Sequence, residues 1–183
     1  RRLRDQNQSL QASNEVLEQL SITDGLTKLH NHRFFQDHLT REIKRANRTG
    51  EPLSMVLLDI DDFKRLNDRL GHAVGDGVLQ RIADVLSESV RDSDFLARYG
   101  GEEFAVVTSG TELVGAAVLA EKLRAAVAEK PFALEDSIRP LTVTVSAGVA
   151  QYKGDRKKLF QAAGQALDRA KAEGKNQVRI SQG

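Results

Sequence analysis

A pair of glycines between two short apolar runs decides the fold of this chain: residues 95–108 read FLARYGGEEFAVVT. Runs of this length, rich in β-branched and aromatic residues, predict a β-hairpin when glycines separate them. Glycine at positions 100 and 101 supports the positive φ that a tight hairpin needs, and the missing side chains would also let a phosphate approach the backbone; both interpretations can hold together. Glu102 and Glu103 would then lie in or beside the turn.

The apolar run Leu53–Leu58 ends in charge at Asp59, which is typical of a central strand buried on both faces. Apolar periodicity predicts helices over about 32–48, 61–70, 74–90, 113–127 and 160–170, and further strands at 141–149 and 177–180. Thr23 or Asp24 is a candidate cap for the structure that follows. This mixed order with a hairpin favours an α+β fold, a mixed central sheet flanked by helices, over a doubly wound parallel sheet.

The first twenty residues carry a heptad pattern. Leu3, Leu10 and Leu17 are seven residues apart, and Asn7 and Asn14 occupy the a positions if leucine occupies d. We interpret this as the end of a parallel coiled coil; the alternative is a solvated helix that packs on its own domain. We therefore divide the chain into a coiled-coil helix over 1–22 and a domain over 23–183.

Composition excludes several classes of protein. The 27 basic and 26 acidic residues leave a net charge of +1, which argues against a nucleic-acid polymer as partner. The absence of cysteine excludes disulfides and thiolate metal sites. There is no phosphate-binding Gly-x-x-x-x-Gly-Lys-Ser/Thr loop, no Gly-x-Ser-x-Gly elbow, and no apolar run long enough to span a bilayer. We expect no direct membrane contact, and we interpret the chain as a piece of a longer protein.

Acidic side chains follow the predicted central strand. Asp59 at the strand end, facing Glu102 and Glu103 on the hairpin, predicts a site for Mg²⁺ against phosphates, and Asp61 and Asp62 are further candidate ligands. The alternative is that the aspartates only begin the next helix, where acids suit the helix dipole.

Three lysines are candidate partners for phosphate: Lys64, Lys171 and Lys175. The alternative for Lys171 and Lys175 is that they compensate the dipole at a helix end.

Residues 98–104, RYGGEEF, resemble the signature of the GGDEF-domain diguanylate cyclases in its Gly-Gly-Glu-Glu-Phe form. Four more segments resemble family motifs in the same order: DGLT at 24–27, DIDDFKRLND at 59–68, GHAVGD at 71–76 and AKAEGKN at 170–176. The resemblance extends from about residue 23 to 180. It implies the palm-like fold of class III nucleotide cyclases, and a catalytic domain over 23–183.

The resemblance also implies a reaction. Each of two facing domains would bind one GTP, and each 3′-hydroxyl would attack the α-phosphate of the other, giving cyclic di-GMP and two pyrophosphates. The implied metal ligands, for Mg²⁺ or Mn²⁺ in its place, are Asp59, Glu102 and the carbonyl of Ile60. The implied catalytic residues are Glu102, Glu103 and Lys64, and the implied substrate-binding residues are Asn67, Asp76, Gly100, Gly101, Lys171 and Lys175.

Asp76 suits guanine because a carboxylate accepts from the N1–H and N2–H groups that adenine lacks. Asn67 and Asp76 are otherwise ordinary helix-cap residues.

Arg91 and Asp94 match the family's Arg-x-x-Asp inhibitory site, where arginine forks onto guanine O6 and N7 and aspartate accepts from the base edge. The alternative is a basic helix end followed by an Asp turn. Arg45 is a candidate to reach a neighbouring subunit's product site.

Three residues depart from the family pattern: Lys28 stands where glycine is common, and His32 and Lys175 stand where arginine is common. None removes a catalytic group. The resemblance implies a homodimer, an upstream sensory or receiver domain and a cytoplasmic location; a membrane-tethered parent protein is compatible with that location. The alternatives are a silent cyclic di-GMP receptor, a GTP-binding regulatory domain, and a maker of mixed GMP–AMP dinucleotides, which Asp76 disfavours.

Overall fold

The computed structural model describes residues 1–134 and 138–182, apart from the side chains of residues 18–20. In that part, six helices and five strands follow in the order α1 (Arg2–Leu20), α2 (His32–Thr49), β1 (Leu53–Ile60), α3 (Phe63–Leu70), α4 (His72–Ser89), β2 (Asp94–Arg98), β3 (Glu103–Ser109), α5 (Leu113–Glu129), β4 (Val145–Gln151), α6 (Arg156–Ala172) and β5 (Val178–Ile180).

The five strands form one mixed sheet in the order β2-β3-β1-β4-β5. β1 lies at the centre, antiparallel to both β3 and β4, while β4 and β5 are parallel. Every residue of β1 is buried, as its apolar sequence predicts. The predicted α+β fold with a mixed central sheet is confirmed.

Two apolar layers cover the sheet, because alternate residues of a strand point to opposite faces. Val56, Leu58 and Ile60 of β1 pack in the layer that contains α4 and α5. Met55 and Leu57 pack on the other face, in the layer that contains α2 and α6. α6 lies so close to the sheet that a Cβ at Gly148 would come within 2.2 Å of the Ala163 carbonyl oxygen.

Three local predictions need correction. The helix predicted from Asp61 begins at Phe63, because Asp62 has a left-handed backbone with φ of 56°. The strand predicted over 141–149 begins only at Val145, since Leu141 pairs with Phe132 away from the sheet.

The N-terminal cap of α2 is Asn31, whose side chain accepts from the Phe34 N–H; neither Thr23 nor Asp24 caps a helix. Asp24 accepts from the backbone N–H and the hydroxyl of Thr27, and so closes the turn between α1 and α2.

α1 is helical over the predicted heptads, and its leucines face solvent in the single chain. Leu3, Leu10 and Leu17 are 77%, 60% and 64% exposed. The division at residue 22 stays a prediction, and residues 135–137 and 183 of the predicted domain lie outside the described residues. None of the described helices is long and apolar enough to cross a membrane.

Candidate functional site

The hairpin between β2 and β3 is closed by the backbone of its own loop. The N–H groups of Tyr99 and Gly100 both donate to the Glu103 carbonyl, at 2.8 and 3.2 Å. Neither Gly100 nor Gly101 has a positive φ, so the positive-φ interpretation of these glycines is wrong. A Cβ at Gly100 would lie 2.8 Å from the Glu103 carboxylate, whereas Gly101 has open space around it. The glycines therefore permit close approach to the loop backbone.

Arg98 holds this loop to the turn between α1 and α2. Its guanidinium donates to the carbonyls of Gly100 and Gly101, at 3.2 and 2.7 Å, and to the Asp24 carboxylate at 3.1 Å. Burial alone would raise the pKa of Asp24, but hydrogen bonds from Thr27 and Arg98 outweigh it and lower that pKa. Sequence reasoning treated Asp24 and Arg98 only as parts of motifs and missed this ion pair.

Two carboxylates meet where β1 ends beside β3. Asp59 pairs in register with Glu103, and the Ile60 N–H donates to the Glu102 carbonyl at 3.2 Å. Burial raises the pKa of Asp59, which is only 4% exposed, although a hydrogen bond from Lys171 opposes the rise. Burial and the charge of Asp59 also raise the pKa of Glu102. The ionised carboxylates of Asp59 and Glu102 repel each other, so a cation bound between them would stabilise both.

The donor set fits a magnesium ion that shares its coordination with a nucleotide. No cluster of three or more His, Cys, Asp or Glu side chains suited to a metal occurs within the described residues. Mg²⁺ typically takes one or two carboxylates and completes its shell with water and substrate phosphates. Asp59, Glu102 and the backbone carbonyl of Ile60 match that incomplete set.

Asp61 anchors the loop that follows α6. Its carboxylate accepts from the hydroxyls of Thr144 and Ser146, at 2.7 and 2.6 Å, and from the Asn176 N–H at 3.0 Å. These bonds give Asp61 a structural role, and its role as a metal ligand stays a prediction. Asp62, the other added candidate, forms an ion pair with Lys175.

The structure brings two of the three candidate lysines to the carboxylates. Lys171 donates to Asp59, and Lys175 donates to Asp62. Burial would lower the pKa of Lys171, but its bond to Asp59 outweighs this and raises that pKa. Lys64 is exposed on α3 and forms no ion pair within the described part of the chain.

The junction of α3 and α4 holds the two residues predicted to read guanine. Asn67 Oδ1 is buried and has no hydrogen-bond partner in the described chain. It fits against Gly75, where a Cβ would lie only 1.7 Å from this oxygen. Asp76 follows directly and is exposed. An unpaired buried acceptor is unfavourable, and here the oxygen is covered by Gly75, whose missing side chain leaves it room.

The predicted inhibitory residues lie at the start of β2. Asp94 accepts from the Arg91 N–H at 3.0 Å and from its guanidinium at 3.4 Å. The Arg91 side chain is 58% exposed and that of Asp94 only 2%, so Asp94 orients Arg91. Arg45 lies elsewhere, on α2, and pairs with Glu51 at 3.6 Å.

A wide groove lies away from this acidic site. It has a volume of about 960 Å³ and lies between α4 and residues 131–134, with mostly apolar walls. None of the predicted site residues lines it. A smaller cleft of about 170 Å³ lies at the acidic site itself, lined in part by Glu103, Asp168 and Lys171.

Comparison with curated proteins agrees with this site. The family model "Diguanylate cyclase, GGDEF domain" matches residues 21–177. The diguanylate cyclase DgcP of Pseudomonas aeruginosa is 42% identical over 165 residues, which are 89% of this chain and 24% of DgcP. The response regulator PleD of Caulobacter vibrioides is 41% identical over 163 residues, 87% of this chain and 36% of PleD. The chain thus spans about a quarter to a third of these relatives.

Two solved structures share the fold. The GGDEF domain of DgcB from Caulobacter crescentus, in complex with c-di-GMP, superposes with a TM-score of 0.83 at 35% identity, covering 87% of this chain and 95% of that one. The coiled coil and GGDEF domain of DgcB, also with c-di-GMP, gives 0.84 at 33% identity, covering 98% and 97%. The family match over 21–177, together with the acid pair beside the glycine loop, shows that this chain belongs to the GGDEF family of diguanylate cyclases.

Proposed function

We propose that this chain is the catalytic part of a diguanylate cyclase that condenses two GTP into cyclic di-GMP. The 3′-oxygen of one GTP forms a bond to the α-phosphorus of the other, the bond to the β-phosphate breaks, and pyrophosphate leaves. The reciprocal attack closes the ring, and each 3′-hydroxyl loses one proton. The acid pair Asp59 and Glu102 next to Lys171 is the observation that carries this proposal.

The acid pair, with the Ile60 carbonyl, is proposed to hold Mg²⁺, and Mn²⁺ would suit the same oxygens. When bound, the ion neutralises charge on the triphosphate. Burial raises the pKa of both carboxyls, so their ionised forms are disfavoured. A bound cation would stabilise those ionised forms, which supports this role.

Positively charged side chains and the loop backbone are proposed to bind the triphosphate. Lys171 pairs with Asp59 of the acid pair, Lys175 pairs with Asp62 just after β1, and Lys64 is exposed at the start of α3. Arrival of a metal and a nucleotide would replace Lys171 as the partner of Asp59 and free its ammonium group for phosphate. The open space at Gly101 leaves the loop backbone accessible to the same phosphates.

Glu102 and Glu103 are the proposed groups for moving the proton of the 3′-hydroxyl. A carboxylate whose pKa is raised by burial is a better proton acceptor than an ordinary one, and this describes Glu102. Glu103 lines the cleft beside Lys171. Catalysis then depends mainly on positioning and charge, as in other phosphoryl transfers.

Asn67 and Asp76 are proposed to select guanine. The buried Asn67 oxygen accepts a donor from the base, and the exposed Asp76 carboxylate accepts from N1–H and N2–H. Adenine lacks these donors and would leave the acceptors unpaired, which disfavours a mixed dinucleotide as product.

A homodimer is proposed because one domain offers one acid pair and one guanine site, whereas the condensation joins two GTP. The exposed leucines of α1, with Asn7 and Asn14 between them, supply a face for a second copy. The helix over 1–22 would then link the catalytic domain, 23–183, to an upstream sensory or receiver domain. Because the proposed reaction consumes GTP, the cytoplasm is the proposed location of the domain.

Product inhibition is proposed at Arg91. This side chain is exposed and oriented by the buried Asp94, so its guanidinium can fork onto a guanine edge. Arg45, half exposed on α2, is the proposed contribution from a neighbouring subunit. The DgcB structures with c-di-GMP support the presence of a product site in relatives.

The test begins with purified protein stripped of bound nucleotide, to which GTP and Mg²⁺ are added with and without ATP. We expect mass spectrometry to show cyclic di-GMP from the wild type and none from Glu102→Ala. No product at concentrations where the chain is dimeric would contradict the proposal and favour a silent receptor, which binding of cyclic di-GMP would then reveal.

A further inference from the structure

Three polar side chains outside the acid pair form a line of hydrogen bonds that ends on the hairpin loop. Arg156, at the start of α6, donates to the Gln36 side-chain oxygen on α2. The Gln36 side-chain nitrogen lies 3.2 Å from His32 Nε2, and His32 Nδ1 lies 2.7 Å from the Tyr99 carbonyl oxygen. This line joins three segments that are far apart in sequence: α6, the first turns of α2, which hold both Gln36 and His32, and the hairpin loop.

The chemistry of its two ends fixes the direction of every bond. A guanidinium only donates, so it takes the oxygen of Gln36 and turns the Gln36 NH₂ group toward His32. His32 Nε2 must therefore accept. The Tyr99 carbonyl also only accepts, so the ring proton lies on Nδ1. The line selects one tautomer of neutral His32.

The bond to Tyr99 completes the support of the loop. Three consecutive carbonyls precede Glu102, and each accepts from a side chain on the surrounding structure. Arg98 holds those of Gly100 and Gly101, and His32 holds that of Tyr99. The His32 ring also packs against the Tyr99 ring, with centroids 4.6 Å apart.

We propose that His32 is a positioning residue, which Gln36 and Arg156 hold in the Nδ1–H tautomer so that it fixes the loop carrying Glu102. The inference rests on the proposed function for its kinetic consequence, because the position of Glu102 matters for rate only if the domain is a cyclase. The tautomer and the hydrogen bond do not depend on that function.

Three substitutions of His32 separate positioning from packing. In His32→Asn the side-chain NH₂ group takes the position of Nδ1. In His32→Gln it takes the position of Nε2. His32→Asn therefore keeps the donor to Tyr99, whereas His32→Gln and His32→Leu lose it. Asp37→Asn, at an exposed neighbour on α2, is the matched control.

We expect kcat for cyclic di-GMP formation within about twofold of wild type in His32→Asn. In His32→Gln and His32→Leu we expect it to fall by about threefold to tenfold, the factor that one hydrogen bond supplies. KM for GTP should change little in all of them. Equal rates for the asparagine and glutamine variants, or a wild-type rate in His32→Leu, would overturn the proposal.

Nuclear magnetic resonance of the full chain tests the same inference without turnover. The ¹⁵N spectrum of the ring should show His32 protonated at Nδ1, with that preference lost in Gln36→Leu. Amide exchange at Tyr99 and Gly100 should quicken in His32→Gln but not in His32→Asn. A proton on Nε2, or equal exchange in the two variants, would refute the line of bonds even in an active cyclase. Conversely, the expected spectra in an inactive chain would leave the line intact and reject only the cyclase.

Discussion

Glu102 illustrates a conflict between stability and activity at a single residue. Its carboxylate is partly buried near the ionised Asp59, and both influences raise its pKa. An acid whose pKa is higher in the folded state than in the unfolded state binds a proton more tightly on folding, so its ionised form destabilises the fold. This destabilisation is present at neutral pH and disappears as the pH falls below the ordinary glutamate pKa of 4.5.

We therefore expect Glu102→Gln to melt at the same or a slightly higher temperature than wild type at pH 7 without metal, by about 1–3 °C. The difference should vanish near pH 4. Added Mg²⁺ should raise the melting temperature of wild type but not of Glu102→Gln, because only wild type keeps both ligands. Thermal unfolding across pH and Mg²⁺ concentration measures both effects. A metal-dependent rise of equal size in the variant would argue against Glu102 as a ligand.

At the scale of elements, Asp61 joins the end of β1 to β4 and to the loop after α6. One buried carboxylate accepts hydrogen bonds from Thr144, Ser146 and the Asn176 N–H. The last bond fixes a loop in which Lys175 and Asn176 both have left-handed backbone, with φ of 62° and 47°. The loop carries Lys175, so its position sets where that ammonium group lies.

We expect Asp61→Ala to lower the free energy of unfolding by about 2–4 kcal/mol, since it leaves the buried Ser146 hydroxyl, the half-buried Thr144 hydroxyl and an amide without an acceptor. Asp61→Asn should cost less and should raise KM for GTP more than it lowers kcat, because the loop with Lys175 loosens. Denaturant unfolding and steady-state kinetics check the two parts. An unchanged KM in the folded Asp61→Asn variant would show that the loop does not bind substrate.

The same elements show what the sequence could predict. The apolar run of β1, the hairpin and the order of helices follow from local patterns, and these predict the sheet and bring Asp59 opposite Glu103, next to Glu102. Backbone detail does not follow, because it depends on distant partners. Residues 141–144 read as strand, yet Leu141 pairs with Phe132, and the Thr144 carbonyl accepts from the Asp61 N–H.

Side-chain partners in the candidate site were also beyond local patterns. Arg98 meets Asp24 across 74 residues, and Arg156 meets Gln36 across 120. Lys28, where the family often has glycine, has a φ of 62°, which gives a backbone reason for that family preference. The sequence therefore predicts the site's acids and lysines, whereas the groups that hold them in place appear only in the folded chain.

At the scale of the whole molecule, the proposed condensation joins one GTP from each of two domains, so we expect assembly to control activity. Linking the domains through α1 would raise their effective concentration around one another without adding any contact at the active site. The apolar stripe of the proposed coiled coil is weak, because Asn7 and Asn14 interrupt Leu3, Leu10 and Leu17. Polar residues at a positions specify register at a cost in stability.

We expect replacement of Leu3, Leu10 and Leu17 by serine to make the chain monomeric at micromolar concentration. Specific activity should then fall by about tenfold or more, and should recover as the concentration is raised. Serine at Gln8 and Glu15, on the opposite side of the heptad, should leave both properties unchanged. Replacing Asn7 and Asn14 by leucine should tighten association but relax the register or the oligomer number. Activity should therefore fall although the assembly becomes more stable. Analytical ultracentrifugation and activity measured over the same concentrations decide the matter: a monomeric serine variant with full activity at every concentration would mean that the catalytic domains find each other without the helix.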